Sequence, residues 1–209
     1  MMRHGIARLR ALVLSALIAA GAAGCSLIPV PEDPPVLFTL SPKNTFDETL
    51  PVISKQLVIE VPVAAEGLNS HRIALSREAL SLDYYAKARW TERAPLLVQT
   101  LLVESFENTG RIVSVAREGT DLRADFALKT ELREFQAEYP DPDGPPEINV
   151  RIIAKLIKLP ERAIISAESF GTTFESTGTA MPEIVVAFDE AFGKVLKRIV
   201  TWAMPQLTN

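Results

Sequence analysis

Hydrophobic positions change their period several times along this chain, and each change marks a segment. Residues 11–20, ALVLSALIAA, form an almost unbroken apolar run after Arg3, Arg8 and Arg10 and before Gly21-Ala22-Ala23-Gly24. The run is shorter than the about 20 apolar residues that a spanning helix needs, and the order basic, apolar, small is that of an export signal. Residues 26–35, SLIPVPEDPP, have no periodicity and are dense in proline, which predicts an extended tether.

Beyond the tether, short β-branched and apolar runs alternate with turn residues. Strands are predicted over residues 36–40, 56–63, 72–75 and 80–85, with Pro62 near the end of the second and hence an edge or a terminus there. A helix is expected over about 94–107. Thr91 or Glu92 lies near its start, Pro95 suits its first turn, and Leu97, Thr100, Leu101, Glu104 and Ser105 recur at helical spacing. Gly110, free to adopt a left-handed conformation, supplies the stop, and residues 112–115 return as a strand.

Strict alternation then sets in. Phe126, Leu128, Thr130 and Leu132 alternate with Ala127, Lys129, Glu131 and Arg133, giving one buried and one wet face. Phe135 falls on the other parity, so a bulge or an end is expected near residues 133–134. Residues 148–156 and 163–174 read as two further strands, and adjacency makes the three an antiparallel meander. Over about 182–203 the period returns to 3.6: Val185, Phe188, Phe192, Val195, Leu196, Ile199 and Trp202 form a stripe opposed by Asp189, Glu190, Lys194, Lys197 and Arg198. These elements imply an α/β (α+β) fold: a single domain over 36–209, with a mostly antiparallel, twisted sheet and two main helices packed on it.

Composition changes the picture at the N-terminus. The chain has 209 residues, a formal charge of −4, one cysteine and two histidines. Removal of residues 1–24 takes away three arginines and no acidic residue, leaving a more acidic body, which argues against nucleic acid as a partner. It also takes His4, so His71 stands alone; zinc sites and histidine-based triads lack their residues, and no metal or cofactor is expected. The one cysteine, Cys25, follows the small residues directly. A cut before it would expose its amino group and leave the thiol for a diacylglycerol thioether, with palmitate or a similar chain completing the anchor. An ordinary secretory cut at Ala20-Gly21-Ala22 is the alternative, because Ala22 stands where a lipobox usually has leucine. Ser26, rather than an aspartate, after the cysteine resembles sorting to the inner leaflet of the outer membrane, facing the periplasm.

Candidate chemistry is sparse. Asp141-Pro142-Asp143-Gly144 with Glu147 has a calcium-loop flavour but lacks the length of an EF-hand loop, so a proline-braced hairpin loop is the better account. The carboxylate pairs Glu131/Glu134 and Asp189/Glu190 lie on polar sides of amphipathic elements, where solvated charge is the default. No catalytic residues are expected, and the chain is read as a non-enzyme. Tyr84, Tyr85 and Trp90 form the one aromatic cluster, with hydrophobic contact or ordinary packing as its two readings.

Taken in order, Cys25, the tether, residues 36–40, Leu57-Val58-Ile59-Glu60-Val61-Pro62, Leu80-Ser81-Leu82-Asp83-Tyr84-Tyr85, Ala88-Arg89-Trp90 and the helix opening at Ala94-Pro95-Leu96 resemble the ABC-type transport auxiliary lipoprotein family, which includes the paraquat-inducible C-type lipoproteins. That resemblance implies a non-catalytic component of a mammalian-cell-entry (MCE) transport system that meets an MCE-domain protein at the outer membrane and serves phospholipid or other hydrophobic cargo. A homo-oligomer would suit a ring-forming partner. An assembly lipoprotein for lipopolysaccharide export or cell-wall synthesis shares the outline, and a secreted carboxylate hydrolase is the reading from another class.

Overall fold

The longest strand organises the molecule. In the computed structural model, which describes residues 33–46, 49–119, 123–159 and 161–208, β7 spans Phe126–Glu138 and is paired along both edges. One edge is taken over its whole length by antiparallel β8 (Glu147–Lys158), which in turn pairs antiparallel with β9 (Ala163–Glu175). The other edge is shared by three short strands, all parallel to β7: β2 (Ile53–Ile59), β3 (Val63–Ala64) and β4 (Arg72–Ser76). Beyond β2 lies parallel β6 (Ile112–Arg117), and beyond β4 lie antiparallel β5 (Asp83–Trp90) and then β1 (Val36–Phe38), parallel to β5. The expected meander is therefore present and supplies the long antiparallel pairings, while the shorter strands make the sheet mixed.

Side-chain parity explains the register. Phe126, Leu128 and Leu132 of β7 are buried, and so are Phe135 and Ala137, which have the opposite parity. The ladder shifts between Leu132 and Glu134, so a bulge at Arg133 keeps both halves of the strand facing the same core. On β8 the inward positions Ile148, Val150, Ile152, Ala154 and Leu156 are fully buried.

Two helices cover that face. The first, α1 (Ala94–Glu107), has the predicted bounds and ends before Gly110, which takes the left-handed φ of 60°. No side chain caps its start; the Ala94 N–H donates to Ser70 O at 3.0 Å, so a neighbouring loop supplies the missing acceptor. Buried Gln99 donates from Nε2 to Ile59 O at 2.8 Å, fixing α1 to the end of β2. The second helix, α2 (Met181–Ala203), starts with Pro182 in its first turn. Ala180 has no side-chain acceptor, so only the return half of a capping box forms: Glu183 accepts from the Ala180 N–H at 3.0 Å. The buried stripe of α2 is rotated slightly from the sequence reading. Ile184, Ala187 and Ala191 join Phe188, Phe192, Val195, Leu196 and Ile199 in the core, while Val185 and Trp202 flank it half-buried. Burying each large side chain contributes about 1.5–3 kcal/mol, so this face is the main reason for α2 to dock.

One further segment, and the contacts of a predicted polar loop, were not anticipated. After α2, a 3-10 turn (Met204–Thr208) buries Met204 and Leu207. Between β1 and β2, residues 41–44 are clasped to both helices: Ser41 N–H donates to Asp189 Oδ1 (2.6 Å), Lys43 N–H to Ser105 Oγ (2.9 Å), and Asn108 Nδ2 to Lys43 O (3.1 Å). Two predicted strands also shift. The run over residues 56–63 divides into β2 and β3 around Pro62, which has no N–H for the ladder. The strand expected at 80–85 instead runs Asp83–Trp90, and Leu80 sits at a turn with φ 66°. Residues 86–89, Ala-Lys-Ala-Arg, have weak strand preference, and only pairing with β4 and β1 makes them extended.

Candidate functional site

Cys25 and the export signal lie outside the described residues. The aromatic trio lies within them, and the structure divides it. Tyr84 and Tyr85 are neighbours on one strand and therefore point to opposite faces. Tyr84 donates its hydroxyl to Gly67 O at 3.0 Å and carries the Arg72 guanidinium 3.4 Å from its ring centre. Tyr85 shares a 2.8 Å hydrogen bond with the Tyr139 hydroxyl, and Arg77 stacks on Tyr139. Burial first, then that hydrogen bond, pushes the Tyr85 phenol far above the ordinary tyrosine range. Trp90 is 1 % exposed and sits in the core, its ring 5.2 Å from Phe188 and 5.6 Å from Phe135. The three side chains thus form no common surface.

Four of the acidic candidates, Glu131, Glu134, Asp189 and Asp141, are held in structural contacts. Glu131 pairs with Arg133 at 2.8 Å, and Glu134 pairs with Arg151 across the ladder. Asp189 accepts the Ser41 N–H. In the loop after β7, Asp141 Oδ1 accepts from the Asp143 N–H and Asp141 O from the Gly144 N–H, both at 3.1 Å, which is the turn chemistry expected there. Among the described residues no three His, Cys, Asp or Glu converge as a metal site would require. His71 is exposed in the turn before β4, where its carbonyl receives the Trp90 N–H at 2.7 Å.

A concave site does exist, on the face of the sheet that the helices leave open. Val58 of β2, Ala127 and Lys129 of β7, Lys155 and Ile157 of β8, and Ile164 of β9 line a trough of about 560 Å³, closed at the sides by Glu60, Glu118, Leu159 and Arg162. A second hollow of about 260 Å³ adjoins it through the shared Lys129 and Lys155 and reaches Val63 and Ile153. Sequence reasoning did not find this site, because its residues are brought together by strands far apart in the chain. One signal was present: Ile153 and Ile157 occupy the parity of β8 that otherwise carries Asn149, Arg151 and Lys155.

Known proteins resemble this chain over most of its length. A solved structure of a Xanthomonas campestris protein, assigned to a family of unknown function (DUF330), is 25% identical and superposes with a TM-score of 0.76, covering 81% of this chain and 95% of its own. A second solved, uncharacterized protein shares the fold at 12% identity and a TM-score of 0.64, covering 82% of this chain and 99% of its own. In Bradyrhizobium diazoefficiens an uncharacterized protein is 26% identical over 153 residues, 73% of this chain; the match spans 40% of that longer relative. The sequence pattern of the ABC-type transport auxiliary lipoprotein component matches residues 38–200, from the last residue of β1 almost to the end of α2, and the chain belongs to that family.

Proposed function

We propose that this chain is anchored by lipid on Cys25 to the inner leaflet of the outer membrane and docks an MCE-domain protein of an ABC-type transport system. In that position it helps phospholipid or another hydrophobic molecule cross the envelope, and it carries out no catalysis itself. The observation that carries the reading is family membership over residues 38–200, since the family is one of lipoproteins that assist ABC-type transport rather than of enzymes. The N-terminal sequence supports the anchor: a basic, apolar and small segment ends at the one cysteine, and a proline-rich tether of residues 26–35 follows. The structural contacts of Glu131, Glu134 and Asp189 support the absence of chemistry.

Affinity isolation from solubilised envelopes tests the partner. An MCE-domain protein is expected in the eluate, and recovery of only unrelated envelope proteins would count against the reading. Replacing the thiol tests the anchor: Cys25→Ser, with residues 1–24 exchanged for an ordinary cleavable secretory signal so that the apolar segment is removed, shifts the chain from the membrane pellet to the soluble fraction. Several acyl chains give stable attachment where one is marginal, so partial release would implicate a second membrane contact.

A further inference from the structure

The open sheet face combines three properties that have no use in holding the fold together. Its shape is the first. At about 560 Å³ the trough falls within the roughly 300–1,000 Å³ of small-ligand sites, and the adjoining hollow lengthens it along β8. From Ile157 to Ile153 the floor runs for about 13 Å at ~3.3 Å per residue, and from Val58 through Ala127 and Ile157 to Ile164 it crosses four paired strands, about 14 Å at ~4.8 Å per strand spacing. The second is exposed apolar surface: Ile164 is 58% and Val63 is 68% exposed at its two ends, where solvation gains nothing.

Charge is the third. The chain is net acidic, yet Lys129, Lys155 and Arg162 gather at this trough. Lys129 is neutralised by Glu60 at 3.0 Å, whereas Lys155 and Arg162 form no ion pair among the described residues. Arg162 also holds a left-handed φ of 55°, a strained conformation for a non-glycine residue. Lys155, set between Ile153 and Ile157, and Arg162 outnumber Glu118, the other acid of the trough, and this positive excess among apolar side chains complements a molecule with an anionic head and an apolar chain.

We infer that the trough binds one acyl chain of an anionic phospholipid, with the phosphate held by Lys155 and Arg162. This deepens the transport reading above and rests on it, giving the cargo a site on this component.

Photo-crosslinking in the full-length, membrane-anchored chain tests it. Benzoylphenylalanine replaces Ile164, or replaces Val186 on the exposed side of α2 as a control, in cells grown with radiolabelled phosphate. The thioether-linked anchor contains no phosphorus, so the label reports bound phospholipid. A labelled adduct is expected at Ile164 and not at Val186. With Lys155→Glu and Arg162→Glu together, the adduct falls by more than about tenfold, the factor that losing even one charge-assisted contact represents, while the melting temperature holds. No adduct at Ile164, equal labelling at Val186, indifference to charge reversal, or a crosslinked polypeptide in place of lipid would each overturn the inference. If the MCE-domain protein still co-isolates with a chain that gives no lipid adduct, the trough fails and the docking reading stands. Lipid labelling without co-isolation has the reverse meaning.

Discussion

Tyr85 shows how one side chain can tie stability to pH. Its phenol is held neutral by burial and by the Tyr139 hydroxyl, against a smaller opposing effect from Arg77. Because the folded-state pKa lies above the unfolded value of about 10, the stabilisation is complete below that pH and is lost progressively above it. Tyr85→Phe removes the titrating group and one hydrogen bond, at a cost of about 1 kcal/mol near neutrality. Urea denaturation of both proteins at pH 8 and pH 11 should therefore show the gap closing at the higher pH. A gap that does not change with pH would mean that the phenol is not protected by the fold. Trp90 gives a contrasting lesson at the same scale. Its sequence position beside two tyrosines allowed either a shared contact surface or ordinary packing, and packing is what the structure shows, with an irregularity in the β4–β5 pairing between Trp90 and the tyrosines. Its Nε1 then has no partner in the core, and its ring contacts with Phe135 and Phe188 outweigh that loss.

At the scale of elements, α2 holds one clear inefficiency. Gly193 lies in its middle with ordinary helical geometry, and a Cβ built there would meet nothing within 4 Å. Gly193→Ala should stabilise the protein by about 1 kcal/mol, read as a higher urea midpoint at unchanged m-value. A loss of stability would show that residues 41–44, which line the same hollow, need the space. The long elements were the legible ones. Periodicity placed α1, α2, β7, β8 and β9, and the parity break at Phe135 located the bulge, because a long amphipathic element has many positions that all report one face. Short strands have too few. Residues 86–89 become a strand through pairing, and β2 and β3 separate because β7 is long enough to pair with each in turn. The trough was illegible for the same reason, since Val58, Lys129, Lys155 and Ile164 become neighbours only once four strands are in register. Among the described residues strand β9 pairs on one side only, and Arg198 of α2 donates to Gly171 O at 2.8 Å, occupying one carbonyl of its other edge.

For the whole molecule, sheet and helix layer divide the work: one face of the sheet makes the core with α1 and α2, and the other is left to recognise something else. The clasp at residues 41–44 joins β1 to the helix layer and depends on side chains from both helices. Asp189→Ala removes one of its three hydrogen bonds and should cost about 1 kcal/mol. Hydrogen exchange should quicken at residues 41–44 and stay unchanged in β8; uniform acceleration would indicate that the clasp is part of the global fold rather than a local fastening. Its position has a mechanical meaning. A protein held by its N-terminus while a partner pulls on its body takes the load first through β1, whose three residues pair, among the described residues, only with β5. Such a short strand peels readily. The next bonds in line join the backbone to two helices at once, so they must be sheared together rather than opened one by one, and the force is passed to the core before the sheet can unravel.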